Sequence, residues 1–388
     1  MKAAFFLFVA VFLSLVSTVK AQSQKERIER QLDAVFSSVT QKDAPGFAVL
    51  VRQNGHTLFE KGYGVRDLRT KAPLNAKTNF RLASFTKQFT AMAIMLLVHD
   101  GKLRYDETLT EIFPEFPAYG QNVTIRNLLN HTGGLQDYED AMDAAEKAKG
   151  GIIWSPEQQI QDDEVLALLE RESKGKFAPG TSWGYSNSGY VILGLIVAKV
   201  SGQPYRDFLH ARIFAPLGMN HTVVYQKGKN EVANRAFGHS GEDNTFKEAD
   251  QSPTSATLGD GGIYSNLEDL GKWDDALRNY TLLSAGEMAP ALVPAKLADG
   301  SPTRWPAAPD NGDNLHPGKP VSYGFGWFLD PYKEHSRMWH TGSTLGFRTV
   351  IERFTADNLT VIILANRTDL DPESLALKTA DMLLPAER

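Results

Sequence analysis

Residues 84–101 read SFTKQFTAMAIMLLVHDG, a segment that predicts both a core helix and a reactive pair of side chains. The apolar residues recur at the spacing of a helix that ends at Gly101. Ser84 and Lys87 are three residues apart, so they share one face of its first turn. The positive end of the helix dipole favours negative charge developing on the serine, and the lysine can hold or exchange a proton.

The Ser-x-x-Lys spacing is a weak signal by itself. Its alternative interpretation is a serine at the start of a helix, followed by a lysine in solvent. The remaining face of this helix is almost wholly apolar, so we expect Lys87 to lie at a junction between domains and not in bulk water.

A second group of candidate residues is Tyr185-Ser186-Asn187, which follows a Pro- and Gly-rich loop and precedes an apolar helix. The loop can present the Tyr185 phenol to a cleft, where a nearby Lys87 ammonium would favour the phenolate and make it a general base. Asn187 could offer its amide to Lys87 or to a substrate carbonyl. The alternative is an ordinary loop tyrosine followed by an asparagine that caps the helix.

The third group is His340-Thr341-Gly342-Ser343, at the end of a predicted strand. Small residues at a strand edge let a substrate lie along the backbone, and the Ser343 amide could join the Ser84 amide in an oxyanion hole. The alternative for His340 is a strand-end histidine beside a turn.

The composition excludes several classes of function. Lys and Arg total 41 against 46 Asp and Glu, a net charge of −5 without long like-charge blocks, which disfavours a nucleic-acid partner. The absence of Cys excludes disulfides, thiol catalysis and Cys-ligated metals. The nine His show neither H-x-H nor H-E-x-x-H spacing, so we expect no metal and no cofactor.

The N-terminus has the layout of a secretory signal peptide: Lys2, an apolar stretch over residues 3–19, and a small-residue site at Ala21. We expect cleavage after Ala21, and a periplasmic or secreted protein without a stable membrane anchor. The alternative is a retained anchor, because the apolar stretch is almost long enough to span a bilayer.

The hydrophobic pattern predicts an α+β fold. An amphipathic helix is predicted over residues 25–39, and Asn54-Gly55 predicts a hairpin between two strands. The predicted strands cover residues 47–51, 57–65, 323–329, 337–340, 347–354 and 359–364, and the closing helix covers residues 372–384. We therefore predict a sheet domain from both chain ends (residues 22–80 plus 300–388) and a mainly helical domain inserted between them (residues 81–299).

Taken together, the three groups resemble the signature of the serine β-lactamase and penicillin-binding protein superfamily, S-x-x-K with S-D-N and K-T-G. Here Y-S-N and H-T-G replace the second and third motifs, as in the branch of class C β-lactamases, D-stereospecific peptidases, DD-carboxypeptidases and family VIII esterases. Four further segments resemble the same branch: residues 128–135, 216–219, 261–265 and 323–327. The resemblance implies a β-lactamase-like fold, an antiparallel sheet flanked by helices.

The resemblance also implies roles for individual residues. Ser84 would be the nucleophile that forms an acyl-enzyme, and Lys87 and Tyr185 would share the acid and base work, with Asn187 orienting groups beside them. The amides of Ser84 and Ser343 would bind the oxyanion.

The departure from the family pattern is at His340. A lysine there would hold a fixed cation for a substrate carboxylate, whereas a histidine titrates near neutral pH, so efficient β-lactamase activity is in doubt. Arg348 could supply the missing cation, the alternative being a solvated strand arginine.

The function predicted first is hydrolysis of small D-amino-acid peptides or esters. The alternatives are a promiscuous carboxylesterase or β-lactamase, and a slowly acylated penicillin-binding or sensor protein without turnover. The sequence does not predict an oligomeric state.

Overall fold

A computed structural model describes residues 26–242, 245–307 and 316–385 of the chain. The predicted signal peptide lies outside the described residues. Within these ranges, no helix is long and apolar enough to cross a bilayer.

The described residues form ten strands and eleven α-helices. The strands are Phe47–Gln53 (β1), His56–Tyr63 (β2), Phe80–Arg81 (β3), Val223–Val224 (β4), His239–Glu242 (β5), Thr245–Glu248 (β6), Ile263–Ser265 (β7), Arg337–Thr344 (β8), Phe347–Phe354 (β9) and Leu359–Ala365 (β10). The helices are 26–37 (α1), Lys87–His99 (α2), Leu109–Ile112 (α3), Ile125–Leu129 (α4), Tyr138–Lys149 (α5), Asp162–Leu169 (α6), Asn187–Ser201 (α7), Tyr205–Leu209 (α8), Leu267–Asn279 (α9), Ala285–Met288 (α10) and Pro372–Asp381 (α11). Short 3₁₀ or π turns are Ala83–Thr86, Ala118–Asn122, His210–Phe214 and Ala289–Leu292.

The largest sheet has five antiparallel strands in the order β2-β1-β10-β9-β8. It joins the two ends of the chain, because the C-terminal strand β10 pairs with β1 along its whole length. The predicted α+β class and the hairpin at Asn54-Gly55 are confirmed; both turn residues have positive φ, as a tight hairpin of this kind requires. The domain boundaries at residues 80 and 300 stay a prediction.

Helices cover both faces of this sheet. On β1, Phe47, Val49 and Val51 pack in a cluster with residues of α1 and α11, whereas Ala48 and Leu50 point into the larger core with α2 and α9. Successive side chains of a strand point to opposite faces, so a strand buried on both sides reads as a continuous apolar run. The predicted N-terminal helix therefore does cover the sheet.

One prediction about secondary structure is wrong. Tyr323 to Leu329 is not a strand but a tight turn, in which the Gly324 amide donates to the Trp327 carbonyl (2.8 Å) and Gly326 has φ +77°. The mainly helical middle segment also contains β7, which pairs with β3 and β4 in a small sheet. These strands have two or three residues each, too few for a period-two pattern to be visible.

A row of polar side chains crosses one end of the large sheet. Arg353 of β9 is the cross-strand neighbour of both Met338 on β8 and Thr360 on β10, and Thr360 is in turn the neighbour of Arg52 on β1. Asp274 of α9 lies over this row and accepts from Arg353 Nε (2.9 Å), Thr360 Oγ1 (2.8 Å) and Arg52 (3.0 Å). Its side chain is 4% exposed, so this carboxylate joins helix to sheet in a desolvated setting.

We expect Asp274→Ala to lower the free energy of unfolding by about 3–5 kcal/mol, because it leaves two buried guanidinium groups without their shared carboxylate. Chemical denaturation measures the change. The matched control is Asp275→Ala, which removes the neighbouring carboxylate at 38% exposure and should cost about 0–1 kcal/mol. Equal losses in the two variants would contradict this account of Asp274.

Candidate active site

The turn that carries Ser84 lies directly before α2. It is a 3₁₀ turn over Ala83–Thr86, in which Ala83 has φ +50°, an uncommon conformation for a residue with a side chain. Ser84 is half-buried while its neighbours Ala83 and Phe85 are buried, so its hydroxyl remains open to a substrate. The pattern predicted a helix from Ser84 onward, and the α-helical hydrogen bonding begins three residues later, at Lys87.

The Lys87 side chain is fully buried and its ammonium group meets three oxygen atoms. Nζ lies 3.0 Å from Ser84 Oγ, 2.8 Å from Asn187 Oδ1 and 3.1 Å from the Asp260 carbonyl oxygen. An ammonium has three N–H donors, and these acceptors can take all three. The ammonium is therefore held between the Ser84 turn, the start of α7 and the loop before β7, and the placement of Lys87 at a junction between domains stays a prediction.

The ring of Tyr185 also lies beside the Lys87 ammonium. Its ring centroid is 4.9 Å from Lys87 Nζ, and the ring is half-buried against His131, with 4.5 Å between the ring centroids. Ser186 caps α7 by accepting the Gly189 amide (3.0 Å). Because Ser186 is the cap, the Asn187 amide remains available to bind Lys87, and the alternative of a capping asparagine is wrong.

The strand β8 brings the third group to the same place. It is the edge strand of the large sheet and packs against the Ser84 turn. Gly342 permits this approach, because a Cβ there would lie 2.0 Å from the Leu82 carbonyl oxygen and 2.3 Å from Thr349 Oγ1. Ser343 follows and is exposed, so the edge beside Ser84 can receive a substrate backbone. The oxyanion hole formed by the Ser84 and Ser343 amides stays a prediction.

His340 differs from expectation, since its imidazole is buried and bonded within the protein. Nδ1 lies 2.6 Å from the Thr341 carbonyl oxygen, which assigns the proton to Nδ1, and Nε2 then accepts from the Tyr323 hydroxyl at 3.0 Å. Burial, with the positive charge of Lys87 adding to it, lowers the pKa of His340 to about 3. A titratable imidazole near neutral pH is therefore the wrong expectation, and His340 is neutral throughout the physiological range.

Arg348 lies where β9 begins. Its guanidinium donates to the carbonyl oxygens of Thr344 (2.6 Å) and Phe347 (2.9 Å) and so holds the turn between β8 and β9. The side chain is half-buried, and no carboxylate of the described residues lies within ion-pair distance. Its use as a cation for substrate stays a prediction.

Several further residues, to which the sequence analysis assigned no role, contact the site. The Asp260 carbonyl oxygen holds Lys87, although a backbone acceptor has no residue signature. His131, in the segment 128–135, accepts the Ser186 amide at Nδ1 (3.2 Å), and burial lowers its pKa well below the ordinary value. Gly326 lets the turn that carries Tyr323 approach α2, because a Cβ there would lie 2.8 Å from the Lys87 carbonyl oxygen.

A buried lysine against a serine, at the edge of an antiparallel sheet, is the arrangement expected of a serine hydrolase that forms a covalent intermediate. The Beta-lactamase family matches residues 26–384. The chain belongs to this family, and its relatives identify it as a serine hydrolase.

Three individual relatives are similar to this chain over more than nine-tenths of its length. The chain is 31% identical over 374 residues to penicillin-binding protein 4* of Bacillus subtilis, a match that covers 93% of this chain and 77% of that protein. It is 28% identical over 369 residues to a D-aminopeptidase of Cereibacter sphaeroides, covering 93% of this chain and 63% of the relative. The solved structure of the D-amino acid amidase from Ochrobactrum anthropi SV3 superimposes with a TM-score of 0.69 at 26% identity, covering 92% of this chain and 97% of that one.

Proposed function

We propose that this protein is an exported serine hydrolase that forms an acyl-enzyme on Ser84 and cleaves small D-amino-acid amides, peptides or esters. The observation that carries the proposal is the Lys87 ammonium, buried and held 3.0 Å from Ser84 Oγ by Asn187 and the Asp260 carbonyl. A surface lysine would not be positioned in this way. The proposed export rests on the signal-peptide layout before Ala21.

In the proposed reaction, Ser84 Oγ attacks the substrate carbonyl carbon while its proton passes to the Tyr185 and Lys87 pair. The negative charge on the carbonyl oxygen is received by the amides of Ser84 and Ser343. Collapse breaks the bond to the leaving group, which takes the proton from the pair. Water then gives a proton to the Tyr185 and Lys87 pair and attacks the acyl carbon. The bond to Ser84 Oγ breaks, Oγ takes the proton from the pair, and the acid is released.

Two observations support an amide or ester substrate over a β-lactam. His340 stands where the family signature has lysine, and it is neutral and bonded to Tyr323, so it offers no cation to a β-lactam carboxylate. Among the relatives, a D-aminopeptidase and a D-amino acid amidase match over more than nine-tenths of this chain. Both enzyme names specify a D-amino-acid substrate.

The test is parallel turnover of D-alanine p-nitroanilide, its L enantiomer, p-nitrophenyl acetate and nitrocefin by the mature chain. We expect kcat/KM for the D-anilide to exceed that for the L-anilide by at least about tenfold, which corresponds to about 1.4 kcal/mol of transition-state binding. Nitrocefin should be the poorest substrate. Equal rates on both enantiomers with fast acetate hydrolysis would indicate a promiscuous esterase, and stable acylation without turnover would indicate a penicillin-binding or sensor protein.

A further inference from the structure

A cavity of about 540 Å³ lies at the end of the large sheet that is remote from Ser84. Its walls come from the end of α9, the turn after α10, the start of β8, the end of β9 and the start of β10. Its volume is within the range of small-molecule sites in proteins, which is about 300–1,000 Å³. Met338 of β8 lines this cavity, whereas Gly342, further along the same strand, lies against the Ser84 turn.

The charged residues of the lining are Arg278, Arg337, Arg353 and Asp274. Each arginine pairs with a carboxylate: Arg353 with Asp274, Arg278 with Asp275, and Arg337 with Asp330 and Glu352. Arg278 and Arg353 use only part of their guanidinium groups in these pairs, so they keep further N–H donors.

Both of these guanidinium groups keep N–H donors without a good acceptor among the described residues. Arg278 binds Asp275 through one terminal nitrogen (2.7 Å), and its side chain is 33% exposed, so the rest of its guanidinium can meet a ligand. One terminal nitrogen of Arg353 has only the Met338 thioether sulfur within range, at 3.1 Å, and a thioether is a weak acceptor. Guanidinium N–H groups that lack a strong acceptor favour a ligand that accepts hydrogen bonds.

Apolar side chains form another part of the lining. Leu277, Leu292, Leu329 and Phe354 line the cavity, and Val293, between two lining residues, is 58% exposed. Tyr280 is also at the rim, 43% exposed, and ends α9 with φ +53°. Glycine or asparagine normally occupies that left-handed position, so a tyrosine there is an unusual choice for a purely structural residue.

We propose that this cavity is a second binding site, separate from Ser84, that takes a small amphiphilic carboxylate. The carboxylate binds Arg278 and Arg353, whose planar N–H groups match its two oxygens. The apolar chain or ring lies against Leu277, Leu292 and Phe354. The site does not depend on the proposed reaction, because none of its residues belongs to the group around Lys87.

The test uses octanoate as the probe and 1-octanol as its neutral match, with calorimetric titration of the mature chain. Octanoate should bind at least about tenfold more tightly than octanol, because only octanoate can accept from both arginines. Arg278→Gln should remove most of this difference. The matched control is Arg206→Gln, which changes an arginine of similar exposure, 37% against 33%, that also pairs with a neighbouring aspartate.

A second variant, Leu292→Trp, keeps every charge and fills part of the cavity with a larger side chain. Leu292→Trp should abolish octanoate binding while turnover at Ser84 is unchanged, since no residue of the candidate active site is altered. Octanoate affinity that is the same in the unaltered chain, Arg278→Gln and Leu292→Trp would overturn the proposal. So would equal affinities for octanoate and octanol in the unaltered chain.

Discussion

Replacing Ser84 by alanine is expected to lower kcat for D-alanine p-nitroanilide by about 10⁴- to 10⁶-fold, the loss typical when a catalytic serine is removed. The reason is geometric as well as chemical. Ser84 Oγ is the oxygen that Lys87 Nζ approaches to 3.0 Å, and it is half-exposed beside the edge strand β8. Without that oxygen no acyl-enzyme forms, and the remaining donors can only bind the substrate.

The control for this variant is Ser182→Ala, in the loop that leads to Tyr185. The Ser182 hydroxyl is half-buried and makes only a long contact of 3.5 Å to the Trp183 carbonyl oxygen. Its turnover should stay within about threefold of the unaltered chain, since surface changes away from special features have small effects. A Ser84→Ala variant that kept more than a tenth of the activity would contradict the assignment of the nucleophile.

The second large effect is expected at Tyr185. Tyr185→Phe deletes only the hydroxyl, and the loss of a positioned general base costs about 10²- to 10⁴-fold in kcat. The matched control is Tyr190→Phe, because the Tyr190 ring also lies near Lys87, with 5.5 Å from Nζ to the ring centroid. The Tyr190 hydroxyl instead donates to the Leu129 carbonyl oxygen at 2.7 Å.

The two tyrosine variants should therefore differ in kcat. Tyr190→Phe should cost at least about 0.5–1.5 kcal/mol of unfolding free energy with little change in kcat, because it removes the buried hydrogen bonding of the Tyr190 hydroxyl. Tyr185→Phe should lower kcat far more than Tyr190→Phe does. If Tyr185→Phe retained the kcat of the unaltered chain, the proton path through Tyr185 would be wrong.

The sequence patterns predicted the parts of the site that depend on local spacing. Ser84 and Lys87 share a turn, and Asn187 follows Tyr185 by two residues, so each pair could be inferred without the fold. The structure brings the two pairs together through Lys87, which contacts both Ser84 and Asn187. Local patterns also predicted the hairpin at residues 54–55 and, apart from residues 323–329, the strands at both chain ends.

What could not be predicted depends on partners far away in the chain. His340 is buried and hydrogen-bonded to Tyr323. The sequence pattern predicted a strand at Tyr323, but this residue lies in a turn. The Asp260 contact uses a backbone oxygen, and any residue type could supply it. Asp274, which joins α9 to the sheet, binds two arginines. One precedes it and the other follows it in the chain, each by more than seventy residues. Long-range pairing of this kind leaves no periodic trace in the sequence.

The central claim is that Ser84 carries the acyl group, and the most direct measurement is mass spectrometry of the purified protein after reaction with a fluorophosphonate probe. Intact mass should show one adduct per chain, and peptide mapping should place it on Ser84. The same treatment of Ser84→Ala should give no adduct. An adduct on another residue of the unaltered chain, or one that persists in Ser84→Ala, would contradict the account.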